Sequence, residues 1–403
     1  MHVFYNISIL FYGLGIRIAA LFNPKAKAWV EGRKHQFSDL PNTSDREVIW
    51  FHCASLGEFD QGLPLMDKIK TEQPQVFLLV TFFSPSGMQY HHKRAHKSDH
   101  VMYLPLDTPG NAKQFIKHFK PTHAFFVKYE FWSNLILQAT KNGTAVYNVS
   151  GLFRDKHRFF KWYGGFFRKT LRQFSGFFVQ NRSSKELLNS INIQKVSVSG
   201  DSRFDRVIEN KANIEANEII AQFKNNEPIL VVGSSWPDDE KVLSNWINNQ
   251  SGKVLIAPHN VDEDHIKGIQ SCIEQTVRYT QRENNFADEK VLILDTIGQL
   301  ANAYAYGDYA YIGGGFSGSL HNILEPAVFG LPVFFGPKHT RFPEAQTFIE
   351  KGFGFSVSTT EEFANAFEKM KNNSQNIRKQ EMEFIAQNAG ASKRIYSAVF
   401  DKG

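Results

Sequence analysis

One pattern, run through twice, constrains this 403-residue chain more than any other feature: short apolar runs separated by amphipathic stretches. In the first half the runs fall at 48–53, 76–81, 124–127, 145–149 and 177–180, with helical spacing between them around 59–71 and 111–119. Unbroken apolarity in runs this short marks strands covered on both faces, and the amphipathic segments supply the crossovers that parallel strands require. The pattern restarts at 229–233, 254–257, 291–294, 309–313 and 332–335, and the tail is helical in pattern over 361–387 and 392–400. The expected architecture is α/β, with two Rossmann-like, doubly wound domains facing each other across a cleft. They span 41–206 and 227–403, with a linker helix at 207–226 and a separate N-terminal segment at 1–40. In such sheets ligands lie outside the carboxyl ends of strands, so residues just after each strand carry the functional weight.

Residues 3–22 (VFYNISILFYGLGIRIAALF) just reach membrane-spanning length but contain Asn6 and Arg17, which is costly at the bilayer centre. The order of basic and apolar residues does not suit a signal peptide. The segment reads as a single anchor, as an interfacial helix, or as a helix packed on its own domain. Lys25, Lys27, Arg33 and Lys34 follow it, so a membrane-attached chain facing the cytoplasm is the expectation. Net charge is +6, modest and spread out, which disfavours nucleic acid and suits an anionic substrate or bilayer surface. Cys53 and Cys272 form no CxxC pair, against a disulfide scaffold or a cysteine zinc site and in keeping with a reducing compartment.

The strongest local signal is YAYIGGGFSGSLHNILEP, in which a buried strand runs into Gly313, Gly314, Gly315, Ser317, Gly318 and Ser319. A helix is expected to start near Leu320, its free N–H groups receiving a phosphate while Glu325 accepts from a ribose diol. His321 and Glu325 could clasp a metal, but no HExxH partner exists. Loops at Gly233–Trp236, Pro258–Asn260 and Asp295–Leu300 also follow strands; each alone is a plain turn, and together they favour a nucleotide crevice. In the first half Glu58 follows the strand 48–53 and sits in a first helical turn, either as a dipole-stabilised carboxylate or as a general base. Glu130 follows a third strand, and Arg203 lies just before the linker, where it could grip an anion or make an ordinary ion pair. The stretch 154–172 interleaves Arg154, Arg158, Lys161 and Arg168 with aromatics. RNA, an anionic amphiphile at a bilayer, or a solvated helix pair packing its rings inward would each explain it; beside an apolar N-terminus the amphiphile is favoured.

Ala-Ser-Leu-Gly-Glu at 54–58, Pro-Leu-Asp at 105–107, Glu-Phe-Trp-Ser-Asn at 130–134, Gly-Asp-Ser-Arg-Phe-Asp at 200–205, His-Asn-Ile-Leu-Glu-Pro at 321–326 and Phe-Phe-Gly-Pro at 334–337 occur in one order. Together they resemble the 3-deoxy-D-manno-octulosonic acid (Kdo) transferases of lipopolysaccharide synthesis, over nearly the whole chain. The resemblance implies a GT-B glycosyltransferase that inverts at the anomeric carbon without a metal or other cofactor. Its donor would be CMP-Kdo and its acceptor a lipid A precursor of the lipid IVA type, at the cytoplasmic face of the inner membrane. It also implies Glu58 as catalytic base, with Glu130 and Arg203 stabilising the transition state. CMP contacts would come from Pro258 and His259, from Ile297, Gly298 and Gln299, and from Asn322, Ile323, Leu324 and Glu325, with Ser317 and Ser319 beside the phosphate. The chain departs from the family pattern at Lys128, which replaces the first of two acids, at His259-Asn260, which replace Arg-His, and at Asp201 and Arg203, which replace Asn and Lys. A lipid A disaccharide synthase or a sugar-nucleotide epimerase is the nearest enzymatic alternative, told apart by UDP against CMP. A membrane-attached nucleotide- or lipid-binding protein without catalysis is the other.

Overall fold

The structure, a computed structural model, describes residues 2–281, 286 and 289–401. One sheet contains β1 (Val48–Cys53), β2 (Phe77–Phe82), β3 (His100–Tyr103), β4 (His123–Val127), β5 (Ala145–Gly151), β6 (Gly176–Val179) and β7 (Val196–Val198), in the order β3-β2-β1-β4-β5-β6-β7. The other contains β8 (Ile229–Ser235), β9 (Lys253–Pro258), β10 (Thr276–Arg278), β11 (Val291–Ile293), β12 (Tyr309–Ile312), β13 (Val333–Phe335) and β14 (Gly354–Ser356), in the order β10-β11-β9-β8-β12-β13-β14. The paired strands are parallel, as the apolar runs require. In β1, Val48 and Trp50 enter one core while Ile49, Phe51 and Cys53 enter the other. Alternate side chains therefore bury on opposite faces, and no polar alternation is left to see.

In the first sheet the chain winds outward from β1 to one edge and then returns to wind to the other. In the second it runs from β8 through β9 to the edge strand β10, steps back to β11 between β9 and β10, and then crosses to β12, β13 and β14 on the other side. The reversal falls between β1 and β4 in the first sheet and between β8 and β12 in the second. At such points the loops leaving adjacent strands part and open a crevice at the carboxyl ends.

The chain divides into two units, 1–206 with 388–403, and 207–387. This corrects three expected divisions. The helix Ala391–Phe400 packs on the helix Leu56–Glu72 rather than closing the second unit: Ile395, Tyr396 and Val399 share a core with Phe59 and Met66. Asp205 holds its start, accepting from the Ser392 N–H and hydroxyl at 2.7 Å and from the Gly390 N–H. The expected linker is two helices, Ser202–Ala212 and Glu218–Lys224; Ile220 and Phe223 of the latter are buried, so it belongs to the second unit's core. Segment 1–40 is not a separate part either. Its helix His2–Ala19 is long and apolar enough to cross a membrane by length and composition, yet Ile9 and Gly13 are buried in the first unit.

Candidate active site

Glu58 and Glu130 stand on either side of the first reversal point, after β1 and β4. Glu58 occupies the first turn of Leu56–Glu72, where the Ser55 N–H donates to its Oε2 at 3.0 Å. Burial raises its carboxyl to about 7, Glu130 adds to the rise, and Lys128 opposes it. The Oε2 of Glu130 accepts from Trp132 Nε1 at 2.8 Å and lies 3.4 Å from Nε2 of the fully buried His52. Lys128, between strand and acid, has a left-handed backbone (φ 60°), a conformation costing a non-glycine residue about 1–2 kcal/mol. Its N–H donates to Val149 O at 2.9 Å and its carbonyl accepts from Asn148 at 2.6 Å, which holds the turn.

Arg203 is clasped by its neighbour: Nε and a terminal nitrogen donate to Asp201 Oδ2 at 2.9 and 2.7 Å. Asp201, standing where the family pattern has Asn, thus offsets part of the charge expected to face a substrate. Burial raises the Tyr129 phenol, with Arg154 and Arg203 opposing the rise and Glu58 and Asp201 adding to it. A cavity of about 650 Å³ opens beside Glu130, walled by Tyr5 and Ile9 of the N-terminal helix, Trp132, Arg158, Phe159 and Tyr163.

The segment 154–172 combines two of its expected readings. Phe159 and Phe166 turn inward, whereas Trp162 is 91% exposed. Arg158 faces the cavity and covers the Phe167 ring at 5.0 Å. Arg168 instead bends back to Lys161 O at 2.8 Å, so the guanidinium expected to meet the acceptor or the bilayer closes its own loop. Lys161 is half-buried in that loop.

In the second unit the loops after β8, β9 and β12 converge. His259 stacks on Trp236 with ring centres 4.3 Å apart and tilts onto His321 at 4.7 Å. Asp239 ties the same loops, accepting from Trp236 N, Gly314 N and the Tyr311 hydroxyl. No helix begins near Leu320. The chain runs as turns to a four-residue helix, Leu324–Ala327, so the expected phosphate-binding helix start is absent. The glycines answer to packing: a Cβ at Gly313 would stand 2.1 Å from Ser234 O, and one at Gly315 2.4 Å from Gly336 N. Ile323 and Leu324 are core side chains, 1% and 0% exposed, and offer a ligand nothing beyond backbone. Asn322 reaches Glu325 at 3.2 Å, while Ser317, Ser319, Ile297 and Gly298 are at the surface or nearly so. Pro258 is buried at the end of β9, and Gln299 accepts from Asn217 at 3.2 Å. Among the described residues no group of three or more His, Cys, Asp or Glu side chains could hold a metal ion.

The sequence pointed to no role for Asp107, Asp205 or Asp239, although the first two lie in quoted motifs. All three are buried carboxylates receiving backbone N–H groups, so the motif spacing at 105–107 and 200–205 was the available signal.

Residues 31–206 match the family described as 3-deoxy-D-manno-octulosonic-acid transferase (kdotransferase). A 3-deoxy-D-manno-octulosonic acid transferase of Rickettsia bellii is 25% identical over 406 residues, covering 96% of each chain. A bifunctional glycosyltransferase/methyltransferase of Fusobacterium nucleatum is 27% identical over 384 residues, 90% of this chain; the match spans 59% of that protein. Among solved structures, UDP-GlcNAc 2-epimerase from Neisseria meningitidis superimposes with a TM-score of 0.63 at 14% identity, covering 89% of this chain and 100% of that one. Identity that low carries the fold alone.

Proposed function

From the premise that the chain belongs to the Kdo transferase family of glycosyltransferases and has the GT-B fold, we propose that it transfers Kdo from CMP-Kdo to a lipid A precursor of the lipid IVA type, with inversion and without a metal. The observation that carries this reading is Glu58, a half-buried carboxyl brought to about 7 at the carboxyl end of the central strand. A base titrating near the working pH is ionised often enough to accept a proton and basic enough to drive the transfer. In this mechanism Glu58 takes the proton of an acceptor sugar hydroxyl as its oxygen attacks the anomeric carbon, while the bond from that carbon to the CMP phosphate breaks on the opposite face. CMP departs with the electron pair. Glu130 and Arg203 stabilise the charge that develops, and the loops bearing His259, Gln299 and Asn322 hold the nucleotide.

The acceptor is amphiphilic, and the cavity beside Glu130 suits one: aromatic walls for apolar bulk, Arg158 and Lys156 for phosphate, and the N-terminal helix along one side. The outer face of that helix (Phe4, Leu10, Phe11, Leu14) is exposed and apolar. Fixed to a folded unit along its inner face, the helix lies in the bilayer surface on the cytoplasmic side rather than crossing it. Incubating the purified chain with lipid IVA and CMP-Kdo, and weighing the product, tests the proposal. A mass increase of one or more Kdo units is expected; Glu58→Gln is expected to lose at least about 10²-fold in rate while still binding CMP. No product together with binding of UDP in preference to CMP would overturn it in favour of another sugar-nucleotide enzyme.

A further inference from the structure

The N-terminal helix His2–Ala19 is largely apolar, and two of its polar residues, Tyr5 and Asn6, bond to the start of the helix that follows Glu130. The helix Ser133–Lys141 begins directly after Glu130-Phe131-Trp132, and Trp132 at its N-cap supplies no side-chain acceptor. The first N–H groups of a helix have no partners within it. Here all three of the first are satisfied from outside: Ser133 N donates to the Tyr5 hydroxyl at 3.2 Å, Asn134 N to Asp107 Oδ2 at 3.0 Å and Leu135 N to Asp107 Oδ1 at 2.8 Å. The Tyr5 hydroxyl in turn donates to Asp107, and Asn134 donates to Asn6 at 2.9 Å. Two turns along the helix, Tyr12 packs on Phe83 with ring centres 6.1 Å apart. Phe83 stacks on Trp132 at 4.8 Å, and Trp132 donates to Glu130 at 2.8 Å. Burial raises the Tyr12 phenol, and the charge of Glu130 adds to the rise. Residues 5, 9, 12 and 13 share one helical face, on which Ile9 and Gly13 are buried and Tyr12 stays 40% exposed at its rim, while Phe4, Leu10, Phe11 and Leu14 point away from it and are more exposed.

We propose that Tyr5 and Tyr12 are positioning residues for Glu130, so that the membrane-facing helix is a structural part of the site and not only an attachment beside it. Tyr5 fixes the start of the helix that follows the acid, and Tyr12 sets the Trp132 indole that holds its carboxylate. A helix serving only to attach the chain would need neither the Tyr5 hydrogen bonds nor the Tyr12 ring contact. The inference rests on the reading of Glu130 as a transition-state group. Its consequence is specific: with either tie cut, Glu130 shifts away from the reacting centre and from Glu58.

The test uses the full chain on vesicles of phosphatidylethanolamine and phosphatidylglycerol, with CMP-Kdo and a deacylated, phosphorylated glucosamine disaccharide as acceptor. Tyr5→Phe and Tyr12→Ala are expected to lower kcat at least about tenfold with KM for CMP-Kdo unchanged, as a displacement near 1 Å would. Both should also move the acid limb of the pH–rate profile to lower pH, the direction in which Glu130→Gln moves it. Tyr12→Phe, which keeps the ring, should recover most of the loss; Phe11→Ser, on the outer face, should weaken vesicle binding and leave the limb in place. If Tyr12→Ala does not fold, Tyr5→Phe, which lacks one oxygen, carries the test. Wild-type kcat and acid limb in Tyr5→Phe and Tyr12→Ala, alongside an impaired and shifted Glu130→Gln, would overturn the positioning role and leave the transferase reading standing. An unimpaired, unshifted Glu130→Gln would overturn both the role given to Glu130 and the positioning role.

Discussion

The state of Glu58 fixes how the rate should depend on pH. Its carboxyl is held at about 7 against an ordinary 4.5, first by burial and then by Glu130. At pH 6 about a tenth of it is ionised and at pH 8 about nine-tenths, so kcat/KM should rise roughly tenfold between them. An unperturbed carboxylate would give a flat profile over that range. The neighbours predict opposite movements. Glu130→Gln removes a negative charge that disfavours ionisation, so the limb moves to lower pH; Lys128→Met removes a positive charge that favours it, so the limb moves to higher pH. The position of the limb, not the height of the plateau, is the quantity to compare, because Glu130→Gln should also slow the reaction. Initial rates from pH 5 to 9 under subsaturating CMP-Kdo, with product weighed by mass spectrometry, give all three curves. A flat wild-type profile with Glu58→Gln inactive would refute the burial argument. Limbs that stay in place in both neighbour variants would refute the coupling of the three charges.

Further outcomes follow from the same contacts. Asp205→Ala, which strips three hydrogen bonds from the start of Ala391–Phe400, should cost about 2–3 kcal/mol by urea denaturation and expose the chain ahead of that helix to protease; an unmoved midpoint counts against it. Asp107 is raised by burial to about 7, so the folded state keeps its proton after the unfolded state has lost it. Its stability contribution is complete below its ordinary 3.8 and falls, by at most about 1.4 kcal/mol per pH unit, as pH rises through about 7. Denaturation midpoints should therefore be higher at pH 5.5 than at 8, and Asp107→Asn should flatten that difference; an equal slope in the variant would sink the assignment. Leu10→Ser with Leu14→Ser should reduce co-sedimentation with anionic vesicles at unchanged Tm, since both side chains are more than half exposed; unchanged co-sedimentation would remove that face from the bilayer contact.

How much of this was legible in sequence depends on burial. The ten strands expected from apolar runs are all present, and the four that were missed, β3, β7, β10 and β14, are the four sheet edges. An edge strand pairs on one side only and is covered less. His100 and Val101 are partly exposed, Ser197 and Val198 are exposed, and none of these short segments forms a continuous apolar run. The final helix misled for a related reason: its apolar face showed that it packs somewhere, and only the long-range pairing of Asp205 with Ser392 shows where. Periodicity reports burial, and burial carries no address.

The glycine run marks the other limit. Gly313 to Gly315 signalled a close backbone approach correctly, but the approaching partners are Ser234 and Gly336 of this chain. With the helix start absent, the crevice at β8, β9 and β12 presents side chains where backbone N–H groups were expected. The most prominent are three neighbouring rings: Trp236 stacked on His259, and His321 tilted against it. Burial, and then His259, lowers His321 to about 4, so it is neutral at the pH of the proposed reaction, and its buried Nε2 has no hydrogen-bond partner among the described residues. Leaving such a nitrogen unpaired costs about 1–3 kcal/mol, a cost that a bound hydrogen-bonding group would relieve. The glycines bring the loops together and the rings line what they enclose; a motif search sees the first and cannot weigh the second, because His259 and His321 are 62 residues apart in sequence and 4.7 Å apart in space.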